Sequence, residues 1–157
     1  MKVLAIDPGN IESAYVIWDG EKIHTKGKVK NDDLFFKFTT LMIESDKYYD
    51  NVVIEMIASY GMPVGQEVFD TCVWIGRYYQ KFESINHSVK LIKRGDVKLH
   101  LCNSRRAKDS NIRQALIDRF EPDITAKQRP KGILKGLTGD EWAAFALAVY
   151  YFDNNLK

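Results

Sequence analysis

A chain of 157 residues with 45% hydrophobic residues is long enough to bury a core as one domain, and a formal net charge of +2 is too small for the total to name a partner. Its two cysteines, Cys72 and Cys102, stand in unlike contexts without paired spacing, which argues against a disulfide framework and against a zinc site. No leader pattern opens the chain and no apolar run approaches the roughly 20 residues of a membrane helix, so a soluble cytoplasmic protein is expected.

Val3 to Asp7 is a short apolar run of the buried-strand kind. Ser13 to Trp18 predicts a second strand, and Asp19-Gly20 a hairpin turn into a third, Lys22 to Val29. That third strand alternates and carries lysines, which places it nearer an edge. From Asn31 to Lys47 the period becomes helical, with Leu34, Phe35, Phe38, Leu41 and Met42 in register and Asn31 or Asp32 as the cap. Asn51 to Ile57, NVVIEMI, predicts a fourth strand, and a strand after a helix suggests a parallel crossover. Ala58 to Gly65 is a loop with two glycines and Pro63. Gln66 to Ser84 predicts a long helix whose shared face is Val68, Cys72, Ile75, Tyr79 and Phe82. A short strand at Val89 to Ile92 follows, then helices over Gly95 to Cys102 and Asp109 to Phe120. Glu121 to Gly139 is basic and rich in breakers, and Asp140 to Phe152 is an Ala-rich final helix. The order β-β-β-α-β-α-β-α-α is that of an α/β domain with a mixed sheet.

Three carboxylates stand where apolar residues are expected. Asp7 ends the first strand before a Pro-Gly bend, Glu55 interrupts the fourth, and Asp140 heads the last helix. Burying an unpaired carboxylate costs several kcal/mol, about 2–7 even for a neutral polar group, so three in one small domain call for a common cause. A divalent cation supplies one, because carboxylate oxygens suit Mg²⁺ and Mn²⁺, which also accept phosphate oxygens as ligands. Read singly, each has another explanation: Asp-Pro-Gly is turn chemistry, Asp140 is a helix cap, and Glu55 faces solvent. Glu141 reads as a first-turn acid favoured by the helix dipole, or as a further ligand.

Taken together, IDPG on the first strand, the glutamate of VVIE on the fourth, and the acidic start of an Ala-rich last helix resemble the RuvC-type Holliday junction resolvases. These belong to the RNase H-like and retroviral-integrase superfamily. The resemblance covers almost the whole chain in the same element order, and GDVKLHLCNSRRAKDSNIRQALIDRF is most similar to the small bacteriophage-encoded members. It implies an RNase H-like fold over residues 1–157, with a five-stranded mixed sheet, three antiparallel strands followed by parallel additions, flanked by helices. It also implies an endonuclease that cleaves four-way junctions and other branched DNA by water attack on a phosphodiester, with Mg²⁺ or Mn²⁺, two ions being expected. Asp7, Glu55 and Asp140 match the family's acidic ligands, and Lys98 and Lys108 match its basic residues near the scissile phosphate. The family's last aspartate falls on Ala143, so either Glu141 replaces it, the register differs, or three acids suffice.

Positive charge is concentrated in the middle of the chain, including Arg77, Lys81, Arg105 and Arg106, and again at Lys127, Arg129 and Lys131 before the last helix. Segregation of that kind makes a DNA-binding face on a nearly neutral protein. Tyr60 and Met62, in the loop after Glu55, either wedge against unpaired bases or cover the core. The helix from Gln66 is apolar around more than one stripe, and the family implies a homodimer through it, matching the two-fold symmetry of a junction. Two other readings stand beside this one: a branched-DNA-binding protein with a weakened or lost site, and a phosphotransferase of the actin type.

Overall fold

The structure, a computed structural model, describes residues 1–44, 49–85, 87–124 and 128–155, with backbone alone at 39–44. Its elements run β1 (Val3–Asp7), β2 (Glu12–Trp18), β3 (Ile23–Lys30), α1 (Asn31–Glu44), β4 (Asn51–Met56), α2 (Gln66–Ser84), β5 (Ser88–Lys93), α3 (Arg94–Cys102), α4 (Asp109–Phe120) and α5 (Glu141–Asn155). The end of the first predicted helix, 45–47, lies outside the described residues.

The strands form one five-stranded sheet in the order β3-β2-β1-β4-β5. β1, β2 and β3 pair antiparallel, and β4 and β5 add parallel to β1. β1 is central and covered on both faces, so Val3, Leu4, Ala5 and Ile6 are all fully buried and its apolar run is continuous. β3 is an edge, half-buried and carrying Lys26, Lys28 and Lys30, the charged pattern that discourages edge-to-edge pairing.

Strand alternation sorts the two cores. Leu4, Ile6, Tyr15, Ile17, Val52 and Ile54 face α1 and α2, meeting Leu34, Phe38, Ile75, Tyr78 and Phe82. Val3, Ala5, Ala14, Val16, Trp18 and Val53 face the other way, onto α3, α4 and α5. α5 is buried around most of its circumference, as an Ala-rich helix laid across a sheet must be. Trp18 anchors this side, its ring 5.3 Å from that of Phe145 and 4.6 Å from that of Phe152.

The buried face of α2 differs from the expected one. Thr71, Ile75, Tyr78 and Phe82 point inward, while Cys72 is exposed and Val68 and Tyr79 are only half-buried. The steps of four, three and four follow the 3.6-residue period, and the inward tyrosine is the one whose hydroxyl finds partners inside, near Ser13 and Asn31. Phe69 and Val73 are left on the outer stripe, 56% and 62% exposed. Asn31 also departs from the capping role expected of it: it is buried, and its side chain reaches back to Ser13 and Gly9.

Candidate active site

Ile6 of β1 lies opposite Ile54 of β4 in parallel register, so one step further Asp7 and Glu55 stand side by side. Continuing the alternation, both carboxylates point to the α3–α5 face, beyond the rim of that core. Their side chains are 13% and 15% exposed. Burial, then the charge of Glu55, push the Asp7 carboxyl up to about 8. Glu55 is raised by burial as well, with the Arg94 guanidinium pulling the other way.

The turn that presents Asp7 is held from behind. A Cβ on Gly9 would lie 2.4 Å from the Glu12 carbonyl oxygen, so only glycine fits there. Asn31 donates from Nδ2 to the Gly9 carbonyl at 2.9 Å, and Ser13 Oγ donates to Asn31 Oδ1 at 2.6 Å. Tyr78 donates to the Asn31 carbonyl at 3.3 Å, its hydroxyl pushed up to about 12 by burial and so kept as a donor.

Two residues that sequence reasoning did not place in the site complete it. Arg94 Nη1 lies 3.0 Å from Glu55 Oε1 and 4.0 Å from Asp7 Oδ1, and Nη2 lies 3.0 Å from Asp109 Oδ1. The register explains Arg94: Met56 of β4 pairs with Lys93 of β5, so the next residue of the chain enters α3 beside Glu55. A basic residue directly after a parallel neighbour of the glutamate strand was the available signal. Asp109 gave no signal beyond that of a first-turn acid.

Lys98, Tyr60 and Arg105 are brought to the same place. With Glu55, Arg94 and Gly95 they line a groove of about 310 Å³. Lys98 Nζ is 3.9 Å from Asp109, and Arg105 pairs with Asp96 at 2.6 Å. Tyr60 and Met62 are each 73% exposed, so they do not cover the core.

Other expected site residues lie elsewhere. Asp140 immediately precedes α5, where its carbonyl accepts the Ala144 N–H, and its carboxylate pairs with Lys28 at 2.8 Å. Its charge still reaches Asp7, whose carboxyl it raises. Glu141 is buried and turned away: Oε2 accepts from the Thr138 N–H at 2.8 Å and from Lys26 at 3.3 Å. This is half of a Thr-x-x-Glu capping box, the reason a glutamate stands at that position. Lys108 is exposed at the start of α4, with Arg106 exposed beside it, and among the described contacts neither cation reaches Asp7 or Glu55. Arg77 lies on the opposite side of the sheet, stacked 3.9 Å from the Trp74 ring, in a groove it shares with Lys81. Arg129 and Lys131 occupy the loop before α5, where the Lys131 N–H is held by Glu121 at 2.8 Å. Lys127 lies outside the described residues.

Among the described residues no three His, Cys, Asp or Glu side chains stand close enough to hold a metal ion together. The Asp7–Glu55 pair is nevertheless an all-oxygen, half-buried donor set with Arg94 as its nearest cation, and carboxylate oxygens of this kind suit a hard divalent cation. Asp140, with a side chain 55% exposed, is held by Lys28 and not by this pair.

Raised pKa values, the mark of weakened acids, invert the usual effect of pH. With its carboxyl near 8 folded and 3.8 as the ordinary value, Asp7 binds more proton in the folded state between those limits. Its contribution to stability is therefore complete below about 4 and is lost as pH rises through 8. Thermal melts in EDTA from pH 5 to 9 check this: the melting temperature of the wild type, taken relative to Asp7→Asn, is expected to fall with rising pH. A flat difference would show that Asp7 ionises normally.

No family model matches the chain, and no curated protein matches it by sequence. Solved structures do. Thermus thermophilus RuvC is similar at TM-score 0.67 and 15% identity, covering 98% of this chain and 96% of that one. T. thermophilus RuvC in complex with Holliday junction substrate is similar at TM-score 0.70 and 14% identity, covering 96% and 92%. The chain has the RNase H-like fold of RuvC, with the mixed five-stranded sheet expected from its sequence.

Proposed function

We propose that this protein is a metal-dependent endonuclease that cleaves four-way junctions and other branched DNA. The observation that carries the reading is the Asp7–Glu55 pair, held half-buried at the mouth of a groove edged with Arg94, Lys98 and Arg105, in a chain with the RuvC fold. Asp7 and Glu55 would hold Mg²⁺ or Mn²⁺ with Asp140. The bound ion would supply an activated water and charge stabilisation for the leaving oxygen.

The chain's own groups account for the rest. Lys98 and Arg105 neutralise phosphate at the groove and position the strand over the carboxylates. Lys28 pairs with Asp140 at 2.8 Å and would release it to the ion. Two opposed cuts across a junction need two sites, and the outer stripe of α2 with Phe69 and Val73 is the proposed homodimer face. The test is incubation of labelled four-way junction with the protein, with and without Mg²⁺. Cutting only with the ion supports the reading, and binding without cutting in either arm would reduce the protein to a junction binder.

Tyr60 is proposed to stack on an unpaired base at the branch point. A base–aromatic stack is worth about 1–3 kcal/mol, so Tyr60→Ala is expected to weaken junction binding roughly tenfold and leave linear duplex binding unchanged. Equal loss on both substrates in a gel-shift titration would show that Tyr60 does not read the branch.

A further inference from the structure

The cation nearest the carboxylate pair is the protein's own. Arg94 reaches Glu55 with one nitrogen, at 3.0 Å to Oε1 and 3.3 Å to Oε2, and Asp109 with another at 3.0 Å. Asp7 is at 4.0 Å, the outer limit of an ion pair. A guanidinium is a planar fork of fixed geometry, and it cannot leave a site by losing its proton, only by moving. Here it has room to move. Its side chain is 32% exposed, Asp109 is 70% exposed, and the groove with Lys98 and Arg105 opens beside it. The contacts that hold it are therefore strong at one end and loosely tethered at the other.

The geometry points to Arg94 as a displaceable internal cation: in the metal-free protein its guanidinium ties Glu55 and Asp7 to Asp109, and it yields the two half-buried carboxylates to an incoming divalent ion. This rests on the proposed metal-dependent reading of the same site. A divalent ion brings twice the charge and bonds directly to hard oxygens. A guanidinium left in the groove is then free for a phosphate oxygen, so loading the site and receiving the strand become linked. Without Arg94 the two neighbouring carboxylates would lose their nearest compensating charge, a costly change in a half-buried place.

The consequence is competition, and it is measurable without cleavage. Charge-assisted hydrogen bonds of this kind are each worth enough that losing them corresponds to about tenfold in a binding constant. Titration calorimetry with Mn²⁺ alone is the experiment, on the wild type, Arg94→Gln, Arg94→Lys and Asp109→Asn, with Asp7→Asn to establish that the heat comes from this site. Arg94→Gln is expected to bind Mn²⁺ about tenfold tighter than the wild type. Arg94→Lys is expected to follow it, because one ammonium cannot span Glu55 and Asp109 at once. Asp109→Asn, a mild exposed change, frees one end of the fork and is expected to tighten binding about threefold. Wild-type affinity in Arg94→Lys would mean that nearby charge alone matters, and would overturn the proposal. So would Arg94→Gln binding no more tightly than the wild type, with the metal reading left standing. Silence toward Mn²⁺ in every protein would instead remove the metal site and this inference together.

Discussion

Glu55→Gln is expected to abolish junction cleavage while leaving junction binding nearly intact. Glutamine keeps the length and an acceptor oxygen but loses the charge that a metal ligand needs. Loss of even an outer-shell partner of a metal ligand costs about 10–100-fold, so the direct loss is expected to exceed about a hundredfold in the cleavage rate. Binding is carried by cations at the groove, and Glu55 is not one of them. Neutralising it also removes one of the two negative charges that Arg94 meets at 3.0 Å, leaving Asp109, which makes the groove more positive. The fold survives because a half-buried carboxylate is replaced by a neutral group of the same size, and Ile54 and Val53 keep the strand buried. Single-turnover cleavage and gel-shift titration on one junction decide it. Cutting at the wild-type rate would show that Glu55 is not a ligand, and the nuclease reading would fall with it. Equal loss of binding and cutting would place Glu55 in DNA contact or in folding.

The fold was legible in the chain because its signals are local. The continuous apolar run of β1 follows from burial on both faces, the lysine-bearing alternation of β3 from its place at the edge, and the Ala-rich α5 from burial around most of its circumference. Asp7 and Glu55 were legible for the complementary reason. A carboxylate in an apolar strand contradicts its surroundings, and parallel pairing of β1 with β4 then sets the two side by side. What could not be read was the direction of side chains at loop and helix ends. Asp140 and Glu141 are adjacent, yet one turns to Lys28 and the other to Lys26 and Thr138, because the partners are set by the register of β3 against β2. Arg94 was hidden among many basic residues, since only the β4–β5 register singles it out. On α2 the expected face shares Ile75 and Phe82 with the buried one but has Tyr79 in place of Tyr78, because the two tyrosines are indistinguishable by hydropathy. The choice between them is made by Ser13 and Asn31, far away in the chain.

That same distant pair carries the last expected effect. Asn31→Ala is expected to destabilise the protein by about 2–4 kcal/mol, since it strips partners from several buried polar groups at once. The Gly9 carbonyl loses its 2.9 Å donor, and the Ser13 hydroxyl loses its 2.6 Å acceptor. Tyr78 keeps its bond to the main-chain carbonyl of residue 31 and its approach to Ser13, which limits the loss. For a chain of this length the melting temperature is expected to drop by roughly 5–12 °C. Asn31 also ties the end of β3 to the turn after β1, and that turn aims Asp7. The loss is therefore expected to reach the site beyond what global unfolding explains. Cleavage measured well below the melting temperature, where nearly all molecules are folded, is expected to fall alongside Mn²⁺ affinity. Full activity in the folded fraction would confine Asn31 to stability. An unchanged melting temperature would show that water replaces both bonds, and that the turn holding Asp7 stands on Gly9 and its strands alone.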